Sequence, residues 1–409
     1  MKYEIMAPVG SWENLNAALN AGADSIYFGI EQLNMRARSS INFTIEDLKK
    51  IAQQCKIKNV KTYLTLNTIV YSHDIVLMKE IVSCAKNSGI DSVIASDLAV
   101  INYANEIGLS VHISTQANVT NFETVKFFSK FADVIVLSRE CTIKQVKEIC
   151  DLIKKENICG PNGNLVGIEI FVHGALCMAV SGKCYLSLHT ANSSANRGAC
   201  KQNCRRTYTV KDEEGNELKI DNEYIMSPKD LCTIDFLDKI INAGVTVLKI
   251  EGRGKSADYV KVTTECYKEA LNSILDGTFN IEKIDNWKKR LSGVYNRGFW
   301  DGYYLGRHLG QWHNQRGSIA TKKKILIGIC TNYFKKTNIA EFKIHSDSIS
   351  KDDNIMITGQ TTGVIENKVN ELMLNEKFVD IVNKGDVFTT HINEIIRPND
   401  KLFKVINID

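Results

Sequence analysis

The stretch from Ser92 to Arg139 holds three short apolar runs: Ser92-Val-Ile-Ala-Ser-Asp97, Ser110-Val-His-Ile-Ser-Thr-Gln116 and Val134-Ile-Val-Leu-Ser-Arg139. Each is β-branched, too short for a helix, and ends on a polar or charged residue, which is how a buried parallel strand reads. Before the third run lies Asn121–Phe131, a helix-period segment with Asn121 placed to cap it. The pattern continues outward in both directions. Upstream lie the runs Glu4–Pro8, Ser25–Ile30 and Lys61–Val70, and downstream Gly167–His173 and Thr246–Glu251. Helical segments fall between most of them, including Thr44–Gln54, Ile75–Lys86 and Thr142–Lys155, and Ser11 precedes another at Trp12–Ala21. Eight strands alternating with helices predict an α/β fold, a (β/α)8 TIM-like barrel. An open doubly wound sheet would give a similar pattern, and a ninth candidate run, Tyr224–Met226, leaves the strand count open.

The interval between the seventh and eighth runs is far longer than a crossover needs. It carries a cysteine cluster, a hairpin expected around Glu213-Glu214-Gly215-Asn216, and a helix expected from about Asp230 to Asn242. After Arg253 come a helix, Ala257–Leu275, and an aromatic, Gly-rich connector that includes Asn296-Arg-Gly-Phe-Trp-Asp-Gly-Tyr-Tyr-Leu-Gly306. From about Ile325 the chain changes to short strands at Ile325–Thr331, Ala340–Ile344, Asn354–Thr358, Phe378–Asp380 and Asp386–Thr390. Five or six such strands suggest a small closed β-barrel. The expected domains are residues 1–277, a barrel with a metal-binding insertion at about 175–232; 278–320, the connector; and 321–409, the C-terminal β-barrel.

Composition narrows the function classes. Hydrophobic residues make up 44% of 409 and charged residues 24%, the balance of an ordinary globular protein. The start Met1-Lys-Tyr-Glu-Ile-Met-Ala-Pro8 has no signal-peptide h-region, and no apolar run reaches membrane-spanning length, so a cytoplasmic protein with no membrane partner is expected. In a reducing compartment, clustered thiols point to metal binding or redox chemistry rather than to disulfides.

Of the twelve cysteines, seven (Cys55, Cys84, Cys141, Cys150, Cys159, Cys266 and Cys330) are scattered and read as small buried hydrophobes. Cys177, Cys184, Cys200 and Cys204 fall within 28 residues beside Gly174, Gly182 and Gly198, with Cys232 following. Four thiolates complete either a tetrahedral zinc site or a [4Fe–4S] cube. The gaps of six, fifteen, three and twenty-seven residues include one zinc-knuckle-like pair, Cys200-x3-Cys204, so spacing leaves a cluster, zinc and unrelated cysteines all open. Between Ile170 and Lys211 there is no Asp or Glu, but Lys183, Arg197, Lys201, Arg205, Arg206 and Lys211 are present. Such a stretch offsets the negative charge of a thiolate cluster, or receives phosphates with Tyr185, His189 and Tyr208 as stacking surfaces; a solvated basic loop is the plain alternative.

The segment Glu169-Ile-Phe-Val-His-Gly174-Ala-Leu-Cys177, then four residues and Gly182-Lys-Cys-Tyr-Leu-Ser187, resembles the defining motif of the peptidase U32 family. Further blocks are similar: Ala7-Pro-Val-Gly10, Gly22-Ala-Asp24, Arg36-Ala-Arg38, Asn42-Phe43, Ser114-Thr-Gln-Ala-Asn118, Ser138-Arg-Glu140 and Lys249-Ile-Glu-Gly-Arg253. The C-terminal strands also resemble that family's translation-factor-like module. The family name records proteases or collagenases, whereas better-understood relatives are oxygen-independent hydroxylation factors for the ubiquinone ring or for a pyrimidine of RNA. The resemblance therefore implies a [4Fe–4S] cluster and a small dicarboxylate co-substrate, prephenate, as oxygen source. Carried over from the ubiquinone-type relatives, the cluster ligands are Cys177, Cys184, Cys200 and Cys232, with Cys204, a ligand in another branch, as the substitute. The C-terminal module points to the RNA branch, most simply 5-hydroxyuridine formation in tRNA. Gly254, where the family pattern leads one to expect a larger residue, departs from it.

Chemistry in a parallel barrel sits at the C-terminal strand ends. That rule nominates Asn67, Asp97, Gln116, Arg139, His173, Lys249, Glu251 and Arg253, of which His173, Arg139, Glu251 and Arg253 are the catalytic candidates. Arg139 and Arg253 would fork a dicarboxylate, and Lys249 and Glu251 lie on one strand face and would pair with each other. Three activities remain in play. The first is an RNA hydroxylation enzyme working with tRNA or another structured RNA and a partner protein or electron donor. The second is a peptidase of the collagenase type, although no Gly-x-Ser-x-Gly elbow and no His-Glu-x-x-His helix occurs. The third is a non-catalytic RNA-binding factor with a structural cluster.

Overall fold

Glu4–Pro8 (β1) is buried along its whole length, as a strand covered on both faces must be. It comes from a computed structural model that describes residues 3–38, 42–218, 224–306 and 309–408. β1 pairs in parallel with Ser25–Phe28 (β2), and the ladder continues through Lys61–Leu66 (β3), Ser92–Ala95 (β4), Ser110–Ile113 (β5), Val134–Val136 (β6) and Gly167–Ala175 (β7). Val247–Ile250 (β8) pairs with β7 on one side (Val247 opposite Glu169) and β1 on the other (Met6 opposite Lys249). The sheet is therefore a closed eight-stranded parallel barrel, and the open doubly wound alternative is excluded. Tyr224–Met226 is no ninth strand: it forms a turn closed by Ser227 N–H on the Tyr224 carbonyl at 3.0 Å.

The connecting helices cover the outside of the barrel with Leu15, Leu48, Ile51, Met78, Ile81 and Ile149, all buried in one core. Their starts follow the capping residues. The Ser11, Asn121 and Thr142 side chains each accept an N–H of the first turn, and Thr142 completes a capping box with Gln145. The barrel interior is partly polar. Met6, Tyr27, Tyr63, Ile94 and Val247 pack together there, beside a Lys249–Glu169–His112 chain with contacts of 2.6 and 3.2 Å.

β7 runs past the barrel rim, and its free edge is taken up by Asp230–Cys232, which pairs antiparallel to it. This corrects the expected helix from Asp230: the helix is only Leu237–Asn242, because the unpaired backbone of β7 is satisfied by the first three residues of the segment. The hairpin is where the sequence suggested, Val210–Lys211 against Glu217–Leu218.

At the C-terminus, Lys322–Phe334, Ile339–Ile344, Asn354–Gly359, Gly363–Lys368, Leu372–Leu374, Lys377–Val379, Val387–His391 and Lys401–Asn407 form one eight-stranded antiparallel sheet. Ile327, Phe342, Phe388 and Leu402 belong to its separate core. The last strand, Lys401–Asn407, was missed by the sequence reading, yet it pairs with both Lys322–Phe334 and Asn354–Gly359. The sheet docks on the first and last barrel helices through Ala17, Ala257, Met356 and Val364. Among the described residues no helix is long and apolar enough to cross a membrane.

Candidate active site at the barrel mouth

A cavity of about 540 Å³ opens at the C-terminal ends of the strands, with the insertion after β7 as one wall. Six of the eight strand-end residues singled out from sequence line it: Asn67, Gln116, Arg139, Lys249, Glu251 and Arg253. Asp97 instead caps the helix after β4, accepting Ala99 N–H at 2.9 Å and Val70 N–H at 3.0 Å. His173 is buried behind the wall among Tyr259, Tyr267 and Phe299, and burial lowers its pKa to about 3.

Glu251 is the centre of the mouth. Arg36 Nη2 donates to its Oε1 at 2.9 Å, and the Tyr27 hydroxyl lies 3.2 Å from Oε2. Burial would raise the carboxyl pKa, but Arg36, Arg139 and Arg253 outweigh it and hold the group at about 2. The expected Lys249–Glu251 pair does not form. Lys249 turns to Glu169 in the lumen at 2.6 Å, while the carboxylate is taken by Arg36, a loop residue that strand-end reasoning missed. Arg253 Nη1 donates to Asn34 Oδ1 at 3.0 Å and Thr65 Oγ1 at 2.8 Å, and burial depresses its pKa to about 10. Arg139 stacks 3.9 Å from the Phe171 ring centre and donates Nη1 to the Ala175 carbonyl at 3.1 Å, leaving a buried Nε–H without a partner. Seven basic side chains line the cavity (Arg36, Arg139, Arg205, Lys249, Arg253, Lys255 and Arg297) against one carboxylate, Glu251. An anionic ligand is what this wall accommodates best.

Cys177, Cys184, Cys200 and Cys204 line the same cavity. Their loop is tied down by its neighbours. Gly198 has φ +79°, and a Cβ there would stand 2.2 Å from the Asn34 carbonyl, so only glycine fits. Arg197 Nη2 donates to Asp74 Oδ1 at 3.1 Å and stacks on Tyr71 at 4.5 Å. Arg205 donates to Ser227 Oγ at 3.0 Å and also to the Pro228 and Leu176 carbonyls. The basic stretch thus divides: Arg197 and Arg205 hold structure and Lys211 pairs at the surface with Glu217 at 3.0 Å, while Lys183, Lys201 and Arg206 are exposed, as is Tyr185.

Cys232 stands apart from those four. It lies opposite His173 across the ladder, buried, with its sulfur 3.9 Å from the Tyr267 hydroxyl, and does not reach the cavity. The reason is the strand Asp230–Cys232, whose pairing with β7 was not apparent in the sequence. As they stand, the described His, Cys, Asp and Glu side chains form no three-donor metal site. The donor chemistry nonetheless fits a soft metal centre, since four free thiols line one cavity.

The Peptidase family U32 model matches residues 10–314. A protein named collagenase from Porphyromonas gingivalis is 55% identical over 98% of this chain and 97% of its own length. The tRNA hydroxylation protein P1 of Bacillus subtilis is 29% identical over 83% of this chain and 79% of its own. The 23S rRNA 5-hydroxycytidine C2501 synthase of Escherichia coli is 31% identical over 67% of this chain and 40% of its own. With three quarters of its length inside that match, the chain belongs to peptidase family U32.

Proposed function

We propose that this protein is an iron–sulfur enzyme for oxygen-independent hydroxylation of an RNA pyrimidine, most simply 5-hydroxyuridine in tRNA, with a small dicarboxylate such as prephenate as oxygen source. The observation that carries the reading is the joining, in one cavity, of four thiols and seven basic side chains around a single carboxylate. Cys177, Cys184, Cys200 and Cys204 would hold a [4Fe–4S] cluster, Cys204 taking the place that the resemblance gave to Cys232. When bound, such a cluster supplies one-electron chemistry or an open iron site. The chain's own residues do the rest. Arg139, with its unpartnered Nε–H, and Arg253 orient carboxylates, while the ionised Glu251 fixes Arg36 and is too weak a base to take a proton near pH 7. Exposed Lys183, Lys201 and Arg206, with Tyr185 as a stacking surface, meet the RNA at the rim.

Peptide hydrolysis, the activity named for the Porphyromonas gingivalis relative, finds less support in the chemistry of the mouth. Among the described residues lining the cavity there is no histidine to activate its serines or a water. The test is nucleoside mass spectrometry on tRNA from a deletion strain complemented with wild-type chain or with Cys184→Ser. The reading expects 5-hydroxyuridine with the first and its loss with the second. Equal levels in both strains, or metal-free gelatin cleavage by the purified protein, would sink it.

A further inference from the structure

Lys255 was not among the residues singled out by sequence, yet it lines the same cavity. Its Nζ lies 3.1 Å from the Tyr295 ring centre, and the Arg297 guanidinium approaches the same ring at 5.1 Å. Among the described residues no carboxylate oxygen lies within ion-pair distance of Nζ. The nearby Asp230 is taken by Arg297 at 3.4 Å, and Glu251 by Arg36 at 2.9 Å. The Tyr295 ring face attracts the ammonium form, but a lysine on a wall lined by six other basic side chains and without a counter-ion gives up its proton more readily than a solvated amine.

We propose that Lys255 is a carbonyl-binding amine that forms an imine with the 2-oxo group of a small carboxylate ligand, whose carboxylate is held by the cavity arginines. This deepens the hydroxylation reading by assigning a residue to the small co-substrate, and it rests on that reading only for the ligand's biological role. The chemistry balances without a redox partner. The amine nitrogen bonds to the carbonyl carbon, and the carbonyl oxygen leaves as water carrying both amine protons. The surroundings favour the neutral amine: burial, Arg297 and Arg36 lower the lysine pKa to about 7, against the opposing pull of Asp230 and Glu251. Of the other groups facing it besides the Tyr295 ring, Tyr259 at 5.9 Å and the neutral His173 bring no negative charge at that pH.

The test is reductive trapping on the full-length protein. Purified chain is incubated with pyruvate or phenylpyruvate, treated with borohydride, which delivers hydride to the imine carbon, and mapped by peptide mass spectrometry. The expected result is a stable adduct on the peptide containing Lys255, forming faster as pH rises through about 7 and absent in Lys255→Arg. A second variant, Lys255→Met, with an unchanged thermal midpoint guards against loss of fold. Adduct spread over surface lysines, the same pattern in Lys255→Arg, or no adduct at all would overturn the proposal. Trapping requires neither RNA nor hydroxylation, so its failure leaves the tRNA result standing, and the converse holds.

Discussion

Glu251 shows how one side chain can be legible in type and illegible in role. Its place at a strand end nominated it for chemistry, but its partner, Arg36, lies 215 residues away in a loop without periodicity. That block, Arg36-Ala-Arg38, stood out only through the family resemblance. With its carboxyl at about 2 when folded, against about 4.3 for a free glutamate, Glu251 contributes stability that is present above the unfolded value and lost as pH falls from there through about 2. Glu251→Gln should cost about 3 kcal/mol at pH 7, because the carboxylate charge that Arg36 meets at 2.9 Å is lost from a mostly buried pair. Urea unfolding should show the gap between variant and wild type closing as pH is lowered from about 4 to 2. A gap independent of pH would mean that the pair does not stabilise the fold. His173 was legible as a strand-end histidine, but sequence could not show that β7 carries it behind the cavity wall, among aromatic rings that hold it neutral.

At the scale of elements, the eight barrel strands could be read because burial on both faces leaves continuous β-branched runs between capped helices. The insertion could not, since its shape comes from turns and long-range anchors rather than from a period. Asp230–Cys232 has too few residues to show alternation, and its edge pairing with β7 is what separates Cys232 from Cys177, Cys184, Cys200 and Cys204. The anchor at Gly198 gives a local prediction. Gly198→Ala forces a Cβ against the Asn34 carbonyl and should release the cysteine loop while the barrel stays folded. Limited proteolysis should then cut between Cys177 and Arg206 much faster than in wild type, with little change in far-ultraviolet circular dichroism. Equal cleavage rates would show that this contact does not hold the loop.

Over the whole molecule, the C-terminal sheet leans on the barrel through a small apolar patch rimmed by ion pairs, Lys324 to Asp258 and Lys261 to Glu366 at 3.3 Å. Gly363 sits where a Cβ would be 2.9 Å from the Ala17 nitrogen, so the two units meet at backbone distance. A carboxylate placed in the patch by Met356→Asp would be buried without a partner, at a cost of several kcal/mol. Hydrogen exchange should show faster exchange in Trp12–Asn20 and Gly363–Lys368 than in wild type, and unchanged protection there would contradict the docking described. That two cores exist was visible as a change from helix-period to strand-period sequence near Ile325. How they dock was not, because the contact falls on residues such as Ala17 and Gly363 that carry no pattern.

The central claim is that Cys177, Cys184, Cys200 and Cys204 hold a [4Fe–4S] cluster at the mouth of the barrel. Iron and acid-labile sulfide, measured on anaerobically purified wild-type, Cys204→Ser and Cys232→Ser protein, test it directly. The account predicts about four of each per chain in wild type and in Cys232→Ser, and loss of most of both in Cys204→Ser. Zinc in place of iron, or a cluster kept in Cys204→Ser and lost in Cys232→Ser, would contradict it.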